Sequence, residues 1–349
     1  MQHLANTFRG VGLPVPAPAP MPSSDAAAVA RLLEMCPAHK PTPLVEAESL
    51  AAQAGVAKLW IKDERGRMGL GSFKALGAAY VIATDAVEVG GDLEKALTGR
   101  TYVTASAGNH GLSVAAGARV FGANAVIYLA ETVPTGFADR LRAKGASVVV
   151  EGATYEDSVA AAKSAAAKNG WALLSDSSWE GYTDRPHRLM EGYLQLAAEA
   201  LDACDPSHVF LQAGVGGLAG AVTALVRHRM GNGPRIVVVE PEAAPALHDS
   251  IAAGRFVVTS GPVSEMGRLD CKEASLIALN GLAKEADDFV LISEAEAQDA
   301  MEPLAELGLD ASPSGLAGVA ALLSSTDHRR ELGLTAGSRV LCILSEGPA

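Results

Sequence analysis

HVFLQAGVGGLAGAVTALVRHRM occupies residues 208–230. His208–Ala213 is a short apolar run of the length and composition of a strand buried on both faces. Gly214, Gly216 and Gly217 then make a turn, and the chain runs on as a helix to Met230. A strand, a glycine turn and a helix in that order form half of a βα unit, so this stretch predicts a parallel sheet covered by helices.

The same pattern extends in both directions. Downstream, RIVVVEPE (235–242) reads as a strand, VLISEAEAQDAMEPLAEL (290–307) and SGLAGVAALLSS (314–325) as helices, and RVLCILSEG (339–347) as a closing strand. Upstream, PHRLMEGYLQLAAEAL (186–201) is a long amphipathic helix. Between Thr101 and Asp176, four strands (TYVTAS, NAVIYLA, SVVVEG and WALLSD) alternate with three helices, a run of the size of a separate small sheet. Before it, LWIKDE (59–64) reads as a strand and SFKALGAAYVIATDAVE (72–88) as a helix with Ser72 near its N-cap. The Pro-rich VPAPAPMPSS (15–24) predicts an extended N-terminal segment. The fold class expected is α/β, with two open, twisted, mostly parallel sheets flanked by helices. Residues 1–95 and 185–349 are expected to form a large domain, its first 40 residues partly extended, and residues 96–184 a small one. A ligand cleft should then lie between them, at the C-terminal ends of the strands.

Bulk properties narrow the partners. The formal charge of −12 gives no basic footprint for nucleic acid. No run of about twenty apolar residues is present, so no membrane span is expected. MQHLANTFRG lacks the pattern of a secretory leader, and the four scattered cysteines (36, 204, 271 and 342) suit a reducing compartment, which makes the cytoplasm the expectation.

Several loops carry chemical groups. Gly214-x-Gly216-x-x-Ala219 follows a strand and opens a helix, where backbone N–H groups converge on phosphate. Alone it fits a dinucleotide, with Glu240 at the distance of a ribose contact, a monophosphate cofactor, or simple packing. TASAGNHG (104–111) places Ser106, Asn109 and the adjacent N–H groups at another helix start, able to hold a carboxylate. SFKALGA (72–78) sets Lys74 among small and apolar residues at a helix start, where it reads either as a solvated lysine or, if buried, as an amine whose lowered pKa leaves it nucleophilic. Ser345 follows the strand VLCIL, and Asp176 closes another strand. HExxH, GxSxG and GxxxxGK[ST] are absent, so zinc-hydrolase, serine-hydrolase and P-loop readings lack their hallmarks.

In chain order these loops resemble the fold type II pyridoxal-phosphate enzymes, the threonine dehydratase and tryptophan synthase β group. GLGSFKALGAAY, GNHGLSVA, NAVIYL, SDSSWEGYT, QAGVGGLAGAV, VVVEPEAA and MGRLDC look most like its diaminopropionate ammonia-lyases, over about Thr42 to Gly347. The resemblance implies pyridoxal 5'-phosphate in the interdomain cleft and a homodimer. It implies that Lys74 forms the Schiff base and removes the α-proton, with Phe73 beside the ring and Asn109 on the ring hydroxyl. Gly214, Val215, Gly216, Gly217 and Leu218 would surround the phosphate, and Ser345 would meet the pyridine nitrogen. Ser106, Ala107, Gly108 and His110 would bind the substrate carboxylate. Asp176 would hold the substrate ammonium or relay a proton. The reaction implied is β-elimination on a small β-substituted amino acid, foremost L-2,3-diaminopropionate, giving pyruvate and ammonia. Serine, threonine or a 3-hydroxyaspartate as substrate, and β-replacement, are the alternatives on the same fold; an NAD-dependent oxidoreductase is the alternative outside it.

Three departures from that pattern matter. Ala107 stands where those lyases carry an aspartate, which predicts a preference for L substrates. Arg268, Asp270 and Lys272 stand in a loop that is less charged in the family; the two cations would favour an anionic β-substituent, unless both side chains lie on the surface. Ala246 replaces an acidic ligand downstream of Glu240, so no dedicated divalent-metal site is expected.

Overall fold

The structure is a computed structural model and describes residues 1–348. Among these, eleven strands make two sheets. They are β1 (Gln2–Ala5), β2 (Leu44–Glu46), β3 (Lys58–Asp63), β4 (Thr101–Ala105), β5 (Asn124–Leu129), β6 (Ser147–Val150), β7 (Ala172–Leu173), β8 (His208–Gln212), β9 (Arg235–Pro241), β10 (Asp288–Ile292) and β11 (Arg339–Leu344). The larger sheet runs β1-β10-β9-β8-β11-β3-β2, the smaller β6-β5-β4-β7. All pairs within the small sheet are parallel, as are those from β10 to β3 in the large one; only the edge strands β1 and β2 pair antiparallel.

Burial explains the strand sequences. β8 and β10 are buried along their whole length, and β9 everywhere but Arg235. Strands covered on both faces need continuous apolar runs such as VVV in β9. Each valine so buried contributes roughly 1.5–3 kcal/mol.

Helices Lys74–Val89, Asn109–Val120, Asp184–Leu201 and Gly217–Met230 share one apolar core with residues of both sheets. Their close approach depends on Gly192: a Cβ there would lie 2.3 Å from the Leu76 carbonyl oxygen. A second device is ionic. Arg67 and Lys62, both buried, converge on Glu199 at 2.8 and 2.6 Å, and Arg67 also meets buried Glu64 at 2.7 Å. Burying such charges is tolerable only because each finds a partner. The cluster fixes the turn from β3 toward Lys74.

The structure departs from the sequence reading in four places. VLI belongs to β10, not to a helix, because the strand Asp288–Ile292 fits between β9 and β1; helices Glu294–Asp299 and Met301–Ala305 follow it. The N-terminal segment is not only extended: it supplies β1 and the helix Ala26–Leu33, whose N-cap Asp25 accepts from Ala28 N–H. The strand in WALLSD shrinks to Ala172–Leu173, the part that pairs with β4. Ser72 is not the N-cap of its helix. Phe73 holds that position without a side-chain bond, while Ser72 makes an antiparallel bridge to Glu346.

Candidate active site

The loops read from the sequence meet at the C-terminal ends of the parallel strands, where an open α/β sheet presents its ligand site. β3 leads through a short turn to Lys74, β8 to the glycine loop and β11 to Ser345, while from the small sheet β4 leads to Ser106–Asn109 and β7 to Asp176.

Lys74 Nζ lies 2.6 Å from Asp176 Oδ2. Their side chains are 23% and 21% exposed, so the pair is recessed but reachable from the cleft. Burial alone pulls the Lys74 ammonium down, yet the Asp176 carboxylate outweighs it and holds that pKa above the ordinary lysine range. This corrects the expectation of a lowered lysine pKa: desolvation is present, but an ion pair wins. Burial alone would raise Asp176; Lys74 and then His110 overcome it and hold the carboxyl well below the usual range.

Two rings flank the amine. Phe73 and Tyr193 meet edge to face, with centroids 4.8 Å apart, and Lys74 Nζ is 5.2 and 5.8 Å from them. Tyr193 Oη is buried without a hydrogen-bond partner, and its pKa is pushed up to about 12 by burial, against the opposing pull of Lys74.

The glycine loop adjoins this group: a Cβ on Gly217 would lie 3.7 Å from the Tyr193 ring and 4.0 Å from the Asp176 carbonyl oxygen. Gly216 has φ +93°, and Gly217 begins a 14-residue helix with no side-chain cap and no acidic residue in its first turn. Free N–H groups and the positive end of the helix dipole suit an anionic group there. Val215 is held by its carbonyl, which accepts from Ser275 N–H at 3.0 Å, and Leu218 is buried in the first turn.

Asn109 opens its helix with Gly108 as N-cap, and Gly108 N–H donates to Ser106 Oγ at 3.2 Å. The Asn109 amide donates to Glu346. Ala107 is exposed and brings only a methyl group. His110 is buried; its Nε2 meets the Leu174 carbonyl at 2.8 Å while Nδ1 has no partner, and burial lowers its pKa. Ser345 is buried as well, its carbonyl accepting from Phe73 N–H at 3.0 Å and its own N–H donating to Gly315 at 3.0 Å. The structure brings Lys74 and Asp176 into contact beside Phe73 and the glycine loop, and ties Ser345 to Phe73 through the backbone.

Sequence reasoning missed five contributors. Tyr193 sits inside a long amphipathic helix and reads as core. Glu346 links Asn109 to Ser312. Ser178 and Ser275 share a 2.6 Å hydrogen bond, and Ser178 Oγ also accepts from Ile277 N–H at 3.0 Å, which pins the Asp176 loop to the large sheet's side. Cys271 Sγ would lie 3.0 Å from a Cβ on Gly214, and burial pushes its thiol up to about 12.

The charged residues of the neighbouring loop separate. Lys272 is spent on structure, with Nζ at 2.5 Å from Asp270 and 2.7 Å from the Ala243 carbonyl. Arg268 faces Gly108: its Nη1 is 2.7 Å from where a Gly108 Cβ would be. Glu240 is buried and its two oxygens accept from Leu247 and His248 N–H at 2.8 and 2.7 Å, so it caps the helix Ala246–Ala253; burial pushes its pKa up to about 8.

Two α/β sheets around a recessed lysine and an uncapped glycine-rich helix start describe a cofactor-dependent enzyme of the fold type II plan. The family of pyridoxal-phosphate dependent enzymes matches residues 35–346, and the chain belongs to it. Diaminopropionate ammonia-lyase of Escherichia coli (strain K12) is 33% identical over 337 residues, covering 88% of this chain and 85% of that protein. The crystal structure of the E. coli lyase with D-serine superposes with a TM-score of 0.89 at 30% identity, over 99% of this chain and 93% of that one. Its complex with an aminoacrylate-PLP azomethine reaction intermediate gives 0.88 at 30% identity over the same shares. The chain is therefore an enzyme, with pyridoxal phosphate as its cofactor. The residues present fit that group: an amine for its aldehyde, and an uncapped helix start for its phosphate.

Proposed function

We propose that the protein is an ammonia-lyase that eliminates the β-substituent of a small amino acid, with L-2,3-diaminopropionate as substrate, pyruvate and ammonia as products. The observation that carries this is the Lys74–Asp176 pair set beside the glycine loop, matched by the similarity to diaminopropionate ammonia-lyases.

Bound in the cleft, the cofactor supplies an aldehyde for the substrate amine and a ring that draws electrons from the α-carbon. Lys74 would hold it covalently at rest, the N–H groups of Gly214–Leu218 its phosphate, and Asn109 and Ser345 its ring, with Phe73 alongside. The α-carboxylate fits Ser106 and the uncapped N–H groups of Ala107, Asn109 and His110. An incoming substrate ammonium competes with Lys74 for Asp176. The displaced lysine amine can then act as a base, and its Nζ takes the α-proton. Asp176, hydrogen-bonded to that Nζ, is placed to pass a proton onward to the leaving group. The opposite face presents Ala107, whose methyl group moves no proton. Proton removal from one face only supports preference for the L-enantiomer. The released enamine takes up water and sheds ammonia, so diaminopropionate yields one pyruvate and two ammonia with no oxidant or reductant.

A homodimer in the cytoplasm belongs to this reading: the family resemblance implies the dimer, and four free cysteines suit a reducing compartment. The test is incubation of the purified holoenzyme with L- and D-diaminopropionate and scoring of pyruvate. L-specific release, abolished together with the bound-cofactor absorbance in Lys74→Ala, is expected; an active, yellow Lys74→Ala protein overturns the assignment.

A further inference from the structure

Tyr193 carries a hydroxyl that the fold buries beside the Lys74 amine and gives no partner. The residue is 1% exposed, and among the described residues nothing hydrogen-bonds to its Oη. An unpaired buried hydroxyl costs its whole desolvation, so packing alone would be served better by a phenylalanine. Two glycines make room for the ring. A Cβ on Gly77 would lie 2.7 Å from Tyr193 Cε1 and 2.9 Å from Oη, and one on Gly217 would lie 3.7 Å from Cε2. Gly77 is one turn beyond Lys74 in the helix Lys74–Val89, so the hydroxyl reaches into the start of the helix that carries the amine. Lys74 Nζ stands 5.8 Å from the centre of the Tyr193 ring, and Phe73 meets that ring edge to face at 4.8 Å. Burial pushes the phenol pKa up to about 12 against the pull of Lys74, so the hydroxyl keeps its proton and can serve as a neutral acceptor.

We propose that Tyr193 is a positioning residue for proton transfer: its hydroxyl receives the Lys74 amine when the substrate ammonium takes over Asp176, and it aims the Nζ lone pair at the α-carbon. The inference rests on the reading above, in which Lys74 is the base, and names what orients that base. A neutral amine has two N–H bonds and one lone pair. Donating one N–H to Tyr193 Oη removes the free rotation of the amine and fixes the direction of the lone pair. The α C–H bond then breaks, its proton passes to Nζ, and its electron pair stays on the substrate side. The resulting ammonium has three donors. One remains on Tyr193 Oη, and another can return to Asp176. The phenol itself neither gains nor loses a proton.

The test isolates that proton transfer. L-Alanine has an α-proton and no β-leaving group, so the holoenzyme in deuterated water can exchange the proton without elimination, and NMR follows the loss of the α-H signal. In Tyr193→Phe the exchange should slow ~10- to 100-fold, as for a displaced reacting group, while the dissociation constant of alanine stays the same. The thermal midpoint of the variant should equal or exceed that of the wild type, because an unpaired buried hydroxyl has been removed. Exchange at the wild-type rate overturns the proposal. Slowed exchange together with a lowered midpoint also overturns it and assigns Tyr193 to the fold. Weaker binding of pyridoxal phosphate but not of pyridoxal, read by equilibrium dialysis, overturns it and assigns the hydroxyl to the phosphate. Exchange that survives in Lys74→Ala overturns both this proposal and the role of Lys74 beneath it. Absence of pyruvate from diaminopropionate, with the expected alanine result, would overturn the choice of substrate and leave Tyr193 in its role.

Discussion

Lys74 Nζ and Asp176 Oδ2 are 2.6 Å apart, although 102 residues separate them in the chain and they leave strands of different sheets. The contact ties the ends of the two sheets together at the point where chemistry is expected, and it sets the charge of both groups. Burial and the carboxylate pull the lysine in opposite directions, and the carboxylate prevails.

Replacing Asp176 by Asn should reverse that balance. Desolvation would act on Lys74 unopposed, and its pKa should fall below the wild-type value. The pH dependence of labelling of Lys74 by an amine reagent in cofactor-free protein measures this, and identical profiles would contradict it. Elimination should slow by ~10²- to 10⁴-fold, as for loss of a positioned proton-transfer group.

Gly216 and Gly217 should differ when each is changed to Ala. At Gly216 the positive φ and a Cβ only 2.9 Å from Ala278 Cβ oppose any side chain. At Gly217 the nearest atom would be Met190 Cγ at 3.6 Å, an ordinary contact. Gly216→Ala should weaken cofactor binding by ~10-fold or more, with a loss of stability of ~1–3 kcal/mol. Gly217→Ala should cost less on both counts, as read by equilibrium dialysis of the cofactor and by urea unfolding.

Gly192→Ala is expected to force apart the helices Lys74–Val89 and Asp184–Leu201, because the new methyl would overlap the Leu76 carbonyl. Overpacking of this kind costs ~1–3 kcal/mol. Thermal unfolding should show a lower midpoint, and since Lys74 begins one of the two helices, kcat should fall as well. An unchanged midpoint would mean that the helix pair has slack absent from the structure.

The Glu199 cluster should make the fold acid-sensitive in a defined window. Burial opposes ionisation of Glu199, but Arg67 and Lys62 hold its carboxyl at about 2, against an ordinary 4.5. A depressed acid contributes stability that is complete above pH 4.5 and is lost as pH falls toward 2. The contribution is at most ~3 kcal/mol, less whatever solvent screening removes at its exposed edge. In Glu199→Gln, stability measured by denaturant at pH 7 should drop by roughly 3–5 kcal/mol, since two buried cations lose their shared partner. Its further decline between pH 4.5 and 2 should be shallower than in the wild type; an equally steep decline would place the sensitivity elsewhere.

Legibility of the fold tracked local signals. β8 with its glycine turn, and the helix ending at Gly170, are written in runs and caps that need no tertiary context. β10 was hidden because its apolar residues continue straight into the polar EAEAQDAMEP, and only pairing with β9 and β1 fixes it as a strand. In the site, glycine loops and a lysine among small residues announce themselves by composition. Tyr193 does not, since one aromatic in an amphipathic helix reads as core, and its orphan hydroxyl exists only where three segments meet. The Lys74 pKa failed for a related reason: burial is foreseeable from neighbours in sequence, whereas a carboxylate arriving from another lobe is not.

β11 lies in the middle of the large sheet, between β8 and β3, yet it is synthesised after every other strand described. Until residues 339–344 emerge, β3 and β8 each present an unsatisfied edge to the cell, and the bridge from Glu346 to Ser72 cannot form. The nascent chain must therefore be kept from sticking to its neighbours until β11 has emerged. Stalled or truncated translation products should be fully misfolded and prone to aggregate, without the cofactor bound.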